Sequence, residues 1–344
     1  MNQPTSIRHG LVTAAALIVV LAGLKAATPV LIPFLLSLFI AIIASPVVSF
    51  LTRIRIPRVL AVMAVLLLIV SVILLLAGVV GSSISDFRSS IPAYREQLLV
   101  HLAKLITFAA RFDIDLSMSV VTDYFDPGVI LGVFANTLTG LSGAAANIFI
   151  ILLVTIFMLL EADTMPQRVH DAIHNPDVRM SQVNKFLKSV NSYIAVKTMI
   201  SLGTAIPITI VLSLLDLDYA VLWGILAFLL NYIPNVGSLI AAVPAVLLAL
   251  LQLGPSQALA VAGLYVTVNL VMGNIVEPRI MGKGLGLSSL VVVLSLIFWG
   301  WLFGSVGMLL SVPLTMIVKI GLESSNSGHW FSRILSHPDD LKES

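Results

Sequence analysis

The chain has no cysteine, and only 10% of its 344 residues are charged. Without thiols there can be no disulfide, no thiolate metal site and no cysteine nucleophile. Soluble domains carry roughly 25% charged residues, so a water-soluble globule is excluded as well. What fills the chain instead is apolar: 58% of the residues are hydrophobic and the mean hydropathy is +1.06. Apolar runs of about 20 residues, enough to cross a bilayer as a helix, recur along it. They are too long and too continuously apolar for barrel strands, so the backbone must satisfy its polar groups within helices. The class is an all-α polytopic membrane protein. Its net charge of +2 says little, because in a membrane protein the placement of charge matters more than the sum.

Full spans are expected near 11–28, 30–51, 59–81, 144–160, 193–215 and 256–276. Arg8 ahead of Leu11–Leu24 imitates a secretory signal. So many spans follow that this stretch reads as an uncleaved first helix. Between the second and third spans, "TRIRIPR" holds Arg53, Arg55 and Arg58 with no acid, which makes that loop cytoplasmic under the positive-inside rule. Segment 82–143, with four bases and six acids, then lies outside. Segment 161–197 and "EPRIMGK" return inside. This arrangement puts 14 of the 19 Lys and Arg residues in the cytoplasm, leaving Lys25, Arg88, Arg95, Lys104 and Arg111 outside. Both termini are cytoplasmic in it.

The arrangement closes only if block 219–253 begins and ends on the side of Asp216 and Asp218. That block sits in a stretch, Tyr219–Val276, with no charged residue, and it is broken at "NYIPNVG". Ala220–Leu230 makes about 16 Å of helix and Ser238–Leu251 about 21 Å, short of the roughly 30 Å of hydrocarbon. Pro234 removes a backbone donor and Gly237 permits a tight turn. The preferred reading is a re-entrant hairpin entering from outside, and the alternative is two short tilted spans. Block 285–319 starts and ends on the cytoplasmic side and is broken by "WGWLFGSVG" at 299–307. Its second arm, "VGMLLSVPLTMIV", is similar to "VGSLIAAVPAVLLAL" after the first break. Each block follows a full span, and the two spans run in opposite directions. The fold expected is therefore six full helices plus two interrupted hairpins in an inverted repeat, the layout of secondary transporters.

Five segments follow: N-terminal helices 1–81, an exterior amphipathic segment 82–143, a helix with a cytoplasmic amphipathic stretch 144–192, a repeat core 193–320 and a cytoplasmic tail 321–344. In the exterior segment Ile91, Tyr94, Leu98, Leu102, Leu105 and Ala109 recur at helical spacing, and "FDPG" at 125–128 marks a turn. Such a helix most simply lies on a surface. It could also cap, gate or assemble, and together with small-residue helix contacts it suggests a homo-oligomer.

Conventional chemistry is scarce. His170 and His174 stand four apart, but no third ligand accompanies them, so no metal is expected. "GKGLG" at 282–286 follows no strand and is no phosphate loop. Gly300 and Gly304 have a small-xxx-small spacing that suits close helix packing. No nucleophile–base arrangement, cofactor site or nucleic-acid partner is evident. The most informative local stretch is "NLVMGNIVEPRIMGKGLGLS". It carries Asn269 and Asn274 near the last full span, then Glu277, Pro278 and Arg279. Ionisable residues embedded in a membrane usually mark pathways or pair with one another. Glu277 is read either as a proton- or cation-responsive carboxylate tuned by Arg279, or as an interfacial residue beside a topology anchor. Lys197 reads as a snorkelling anchor.

The residues "IPRVLAV" at 56–62, "NYIPNVGSLIAAVPA" and "GNIVEPRIMGKGLGLSSLVVVLSLIFWGWLFGSVGMLLSVPLTMIVKI" resemble the bacterial autoinducer-2 exporter family, nearly end to end. The resemblance implies a multi-pass inner-membrane protein that exports a small polar signalling molecule, with sodium–proton exchange linked to some members. The shared motifs fall on Asn231, Pro234, Asn235, Gly237, Glu277, Pro278 and Arg279. With Ser238, Asn269 and Asn274 added, the expected substrate pathway is Asn231, Pro234, Asn235, Gly237, Ser238, Asn269 and Asn274. Glu277 and Arg279 are then the coupling candidates. Uncharged Asn, Ser and backbone groups suit a small hydroxylated ligand such as autoinducer-2. The alternatives are a sodium (cation)/proton antiporter with Glu277 as the coupling carboxylate, and a non-transporting scaffold, which would have no need of interrupted helices.

Overall fold

The computed structural model describes residues 4–110, 148–162, 164, 176–234, 236–281 and 288–323. Their regular structure is helical: α1 (Pro4–Ala26), α2 (Thr28–Arg53), α3 (Arg58–Ala110), α4 (Ile148–Glu161), α5 (Pro176–Leu214), α6 (Ala220–Leu230), α7 (Gly237–Gln252), α8 (Pro255–Asn269), a π-helical segment (Leu270–Val276), α9 (Glu277–Met281), α10 (Ser289–Leu309) and α11 (Ser311–Glu323). Five stretches are long and apolar enough to cross a membrane: Thr28–Arg53, Arg58–Phe87, Leu187–Leu214, Pro255–Val276 and Leu290–Leu309. Four of these contain expected spans. The spans expected at 11–28 and 144–160 appear as the shorter apolar helices Leu11–Ala26 and Ile148–Glu161. The "FDPG" turn, His170, His174, Asn235 and the glycine loop at 282–286 lie outside the described residues.

Two fusions were not expected. The third span and the first part of the exterior amphipathic segment form one helix of 53 residues, about 80 Å long. Ser82 and Ser83 donate back to the Val79 carbonyl, and Ser89 and Ser90 to that of Asp86. The hydroxyls are thus satisfied inside the helix where the apolar run gives out. Likewise α5 joins the end of the cytoplasmic amphipathic stretch to the fifth span without interruption.

The chain divides into two compact units, residues 1–66, 147–192 and 283–344 forming one, residues 67–146 and 193–282 the other. In the first, Ser37 is fully buried in α2 and donates to the Ile151 carbonyl of α4 at 2.9 Å. Thr155, also fully buried, donates to Ile151 at 2.7 Å. The Arg58 guanidinium donates to the Leu159 carbonyl near the end of α4, where helix carbonyls lack intrahelical donors. In this unit α10 and α11 fold against each other.

The second unit centres on Trp223, Leu222, Leu226, Ile208 and Leu212, packed with Leu248 and Val261. Ala241, Ala245 and Ala249 are fully buried and stand one turn apart on α7, a stripe of small side chains that lets neighbouring helices close in. At the Asp216–Asp218 end, Tyr94 of α3 donates to the Asp218 carboxylate at 2.6 Å. Gln252 accepts from the Asp218 N–H and donates to the Asp216 carbonyl, each at 3.0 Å, and Trp223 Nε1 donates to the Asp218 carbonyl at 3.0 Å. These bonds hold a loop in which Asp216 and Tyr219 adopt positive φ, 54° and 61°. Burial first, then the bond to Asp218, raises the Tyr94 pKa well above the ordinary tyrosine value.

Each interrupted block is a helical hairpin within its own unit, α6–α7 and α10–α11. A Cβ on Gly237 would collide with the Leu230 carbonyl, and one on Gly307 with the Trp299 carbonyl. In each hairpin a glycine just past the break, Gly237 or Gly307, is thus pressed against the backbone of the first arm, at the two positions the sequence similarity aligns. In the second hairpin the break is narrower than 299–307: it falls at Gly304, with φ 65° and ψ −144°. Gly300 fits the packing role, since a Cβ there would meet Met308 Cγ at 2.7 Å. Gly304 does not. Open space surrounds it, and its glycine is required by backbone conformation instead.

Candidate functional site

Tyr193, Lys197, Ser201 and Thr204 recur every three or four residues along α5, and all four are buried, at 4%, 4%, 0% and 1% exposure. That spacing sets them on one helical face, a buried polar stripe along the span. Lys197 is not a snorkelling anchor, because its ammonium is inside the unit and pairs with Glu277 Oε1 at 2.5 Å. A charge within a span costs about 2.5–3.5 kcal/mol on insertion scales, which explains why it is matched.

Glu277 opens α9 directly after the π-helical segment. A π-helix has more residues per turn than an α-helix, so seven such residues rotate whatever follows; insertions of this kind are frequent at functional sites. Glu277 is 22% exposed, and Lys197 is its ion-pair partner. Arg279, expected to tune it, is exposed instead. The Tyr193 hydroxyl, one turn before Lys197, is buried with no hydrogen-bond partner among the described residues.

The α6–α7 turn sits beside the same face of α5. Asn231 Nδ2 donates to Ser201 Oγ at 3.2 Å, and the Tyr232 and Thr198 hydroxyls share a 2.6 Å bond. Thr198 is about 24 Å along α5 from its end at Leu214, so the turn lies far from the Asp216–Asp218 end where the hairpin begins. Pro234 and Gly237 are buried in it. In the next turn Ser238 Oγ donates to Asn269 Oδ1 at 2.7 Å. That bond closes one end of a cleft of about 380 Å³ between α7 and α8, whose walls include Leu239, Val243 and Val266. Tyr265 also lines it, with its hydroxyl buried and without a partner among the described residues.

Of the expected pathway residues, the fold joins Ser238 to Asn269 and brings Asn231 to α5, with Pro234 and Gly237 shaping the turn between them. Asn274 is exposed on the π-helical segment and stands apart. Lys197, Tyr193 and Tyr265 are the residues that sequence reasoning missed. The polar periodicity 193–197–201–204 was the available sign for the first two. Among the described residues no group of three His, Cys, Asp or Glu could hold a metal.

The amino-acid sequence, compared with known proteins, matches one family. Residues 15–326 fit the model of the AI-2E family transporter. The chain belongs to the AI-2E transporter family. It is 43% identical over 98% of its length, and 98% of the relative's, to the AI-2 transport protein TqsA of Escherichia coli K12. It is 41% identical to a putative transport protein of Haemophilus influenzae, covering 99% of this chain and all of the relative. To the putative transport protein YhhT of Escherichia coli K12 it is 38% identical, over 93% of this chain and 92% of the relative. These are transport proteins by name, and the family membership, with the membrane-spanning helices, assigns this chain to transport across a membrane.

Proposed function

We propose that the chain is a secondary transporter exporting autoinducer-2, or a similar small hydroxylated metabolite, from the cytoplasm across the bacterial inner membrane, in the service of quorum sensing. One observation carries this reading. The second unit holds a cleft ending in neutral Ser238 and Asn269, and the charges near the α6–α7 turn, Lys197 and Glu277, neutralise each other. The polar end of the cleft can meet the hydroxyls of a small neutral ligand while its apolar walls meet the carbon skeleton, and the paired charges offer an anion no unpaired base. The name of the Escherichia coli relative supports the cargo. The two glycine-closed hairpins support the inverted repeat and the re-entrant reading of block 219–253.

In this account Asn231, Ser238 and Asn269 contact the cargo, and Glu277 couples transport by exchanging Lys197 for a proton or a cation. Arg279 is a topology anchor, and both termini are cytoplasmic. A homo-oligomer completes the reading; cross-linking in mild detergent that gives only monomer would remove it. The cargo assignment is tested by external signal accumulation in cells that make autoinducer-2 and depend on this chain for its release. Ser238→Ala with Asn269→Ala should lower release with protein levels unchanged. Undiminished release from that variant would take the cleft out of the pathway.

A further inference from the structure

Tyr193 differs from the other hydroxyl residues on its stretch of α5. Thr198 donates to the Ile194 carbonyl at 2.8 Å and Thr204 to that of Ile200 at 2.9 Å, the backward bond open to short hydroxyl side chains in a helix. Ser201 accepts from Asn231. A phenol stands too far from its own backbone for the backward bond, so Tyr193 needs a partner from elsewhere. Its hydroxyl has none among the described residues, although the residue is only 4% exposed. Burying a hydroxyl without a partner is costly, and phenylalanine would fill the same space without that cost.

The surroundings point to the missing partner. Glu277 and Tyr232 both lie close enough to Tyr193 to act on it electrostatically. The Thr198 proton already goes to Ile194, so the 2.6 Å bond between Thr198 and Tyr232 uses the Tyr232 proton. That leaves the Tyr193 proton uncommitted near a carboxylate. Glu277 is held instead by Lys197 at 2.5 Å, four positions further along α5. Residues so spaced lie on one face with Cβ atoms about 5–6 Å apart, and Glu277, 22% exposed, is not walled in. A carboxylate leaving the ammonium therefore has the hydroxyl one turn away.

We infer that Tyr193 is the second seat of the coupling carboxylate: when the Lys197–Glu277 pair opens, the Tyr193 hydroxyl donates to Glu277 in place of the ammonium. The inference rests on the transport reading for what the opening accomplishes. A carboxylate in a span that lost its cation with nothing in exchange would be strongly disfavoured, and the hydroxyl lowers that barrier to opening. Ser201, one turn beyond Lys197 on the same face, offers its hydroxyl oxygen to the released ammonium.

The test is a cycle of variants in the purified full chain, read by SDS-titrated unfolding. Tyr193→Phe alone should leave the folding equilibrium unchanged or slightly raised, since it removes an unpartnered hydroxyl. In Lys197→Met the carboxylate must turn to the hydroxyl. Adding Tyr193→Phe there should lower the folding equilibrium constant about ten- to a hundredfold, the worth of a hydrogen bond to a charged group. Adding Glu277→Leu as well should erase that difference, which a merely structural tyrosine would not show. Effects of Lys197→Met and Tyr193→Phe that simply add would overturn the inference, and so would a difference that survives Glu277→Leu. Tyr193→Phe keeps the packing and also serves a flux arm. Release of autoinducer-2 from proteoliposomes should fall about tenfold with the unfolding midpoint unchanged, and release at the full rate would overturn the role in coupling. The unfolding cycle needs no cargo, so a chain that passes it yet releases no autoinducer-2 keeps the second seat and loses the transport reading.

Discussion

Removing Lys197 or Glu277 alone should destabilise the protein far more than removing both. Deleting one member of a buried pair leaves the other charge unpaired, at about 3–5 kcal/mol, whereas replacing both by apolar groups is often neutral. Exposure makes the two deletions unequal. Glu277 is 22% exposed and Lys197 only 4%. After Lys197→Met the carboxylate can still draw water, so about 1–3 kcal/mol is expected, below the fully buried cost. After Glu277→Leu the ammonium has no such escape, and about 3–5 kcal/mol is expected. The double variant should fall at least about 2 kcal/mol short of the sum of the singles, as contacting residues in one network do. The assay is SDS-titrated unfolding in detergent micelles, followed by helical circular dichroism. Strictly additive costs, or a silent Lys197→Met, would refute the pairing and with it the coupling role of Glu277.

Gly237→Ala should abolish correct folding of the first hairpin, read as loss of the monodisperse peak after extraction. The added carbon meets the Leu230 backbone carbonyl, which cannot step aside as a flexible side chain would. Gly304→Ala should cost about 1–3 kcal/mol through backbone conformation alone, visible as a lowered midpoint in the same SDS titration. Tyr94→Phe should cost about 1.5–3 kcal/mol near neutral pH, the worth of a hydrogen bond to a charged group. Because the folded Tyr94 pKa is raised above the ordinary tyrosine value, about 10, the folded state keeps its proton as pH climbs past that value while the unfolded state loses it, and stability falls there. Tyr94→Phe should remove that share of the alkaline decline in a pH series of unfolding midpoints. Tyr265→Phe should leave the same SDS midpoint unchanged or slightly raised, since the lost hydroxyl is buried with no partner among the described residues.

Fold class was legible because composition leaves helices as the remaining option in lipid. The breaks at Pro234–Gly237 and near Gly304 were legible as chemistry, being the only places where an apolar block interrupts itself with turn residues. Continuity was not. Nothing in the amphipathic period of Ile91–Ala109 says whether it is joined rigidly to the span before it, since a loop and a bonded serine cluster share the same polar composition. Glu277 stood out as an acid at the end of an uncharged stretch, but its partner did not. Lys197 lies 80 positions away, near the start of its span, where a lysine ordinarily reaches outward to headgroups. The π-helical segment that leads directly into Glu277 is likewise announced by no local propensity.

The most direct test is flux in proteoliposomes holding the purified chain, with autoinducer-2 enclosed and external signal and lumenal pH recorded together. The account predicts protein-dependent release that is lost in Glu277→Gln and reduced in Asn269→Ala. A sodium-dependent pH change without release of autoinducer-2 would contradict it and make the chain an antiporter.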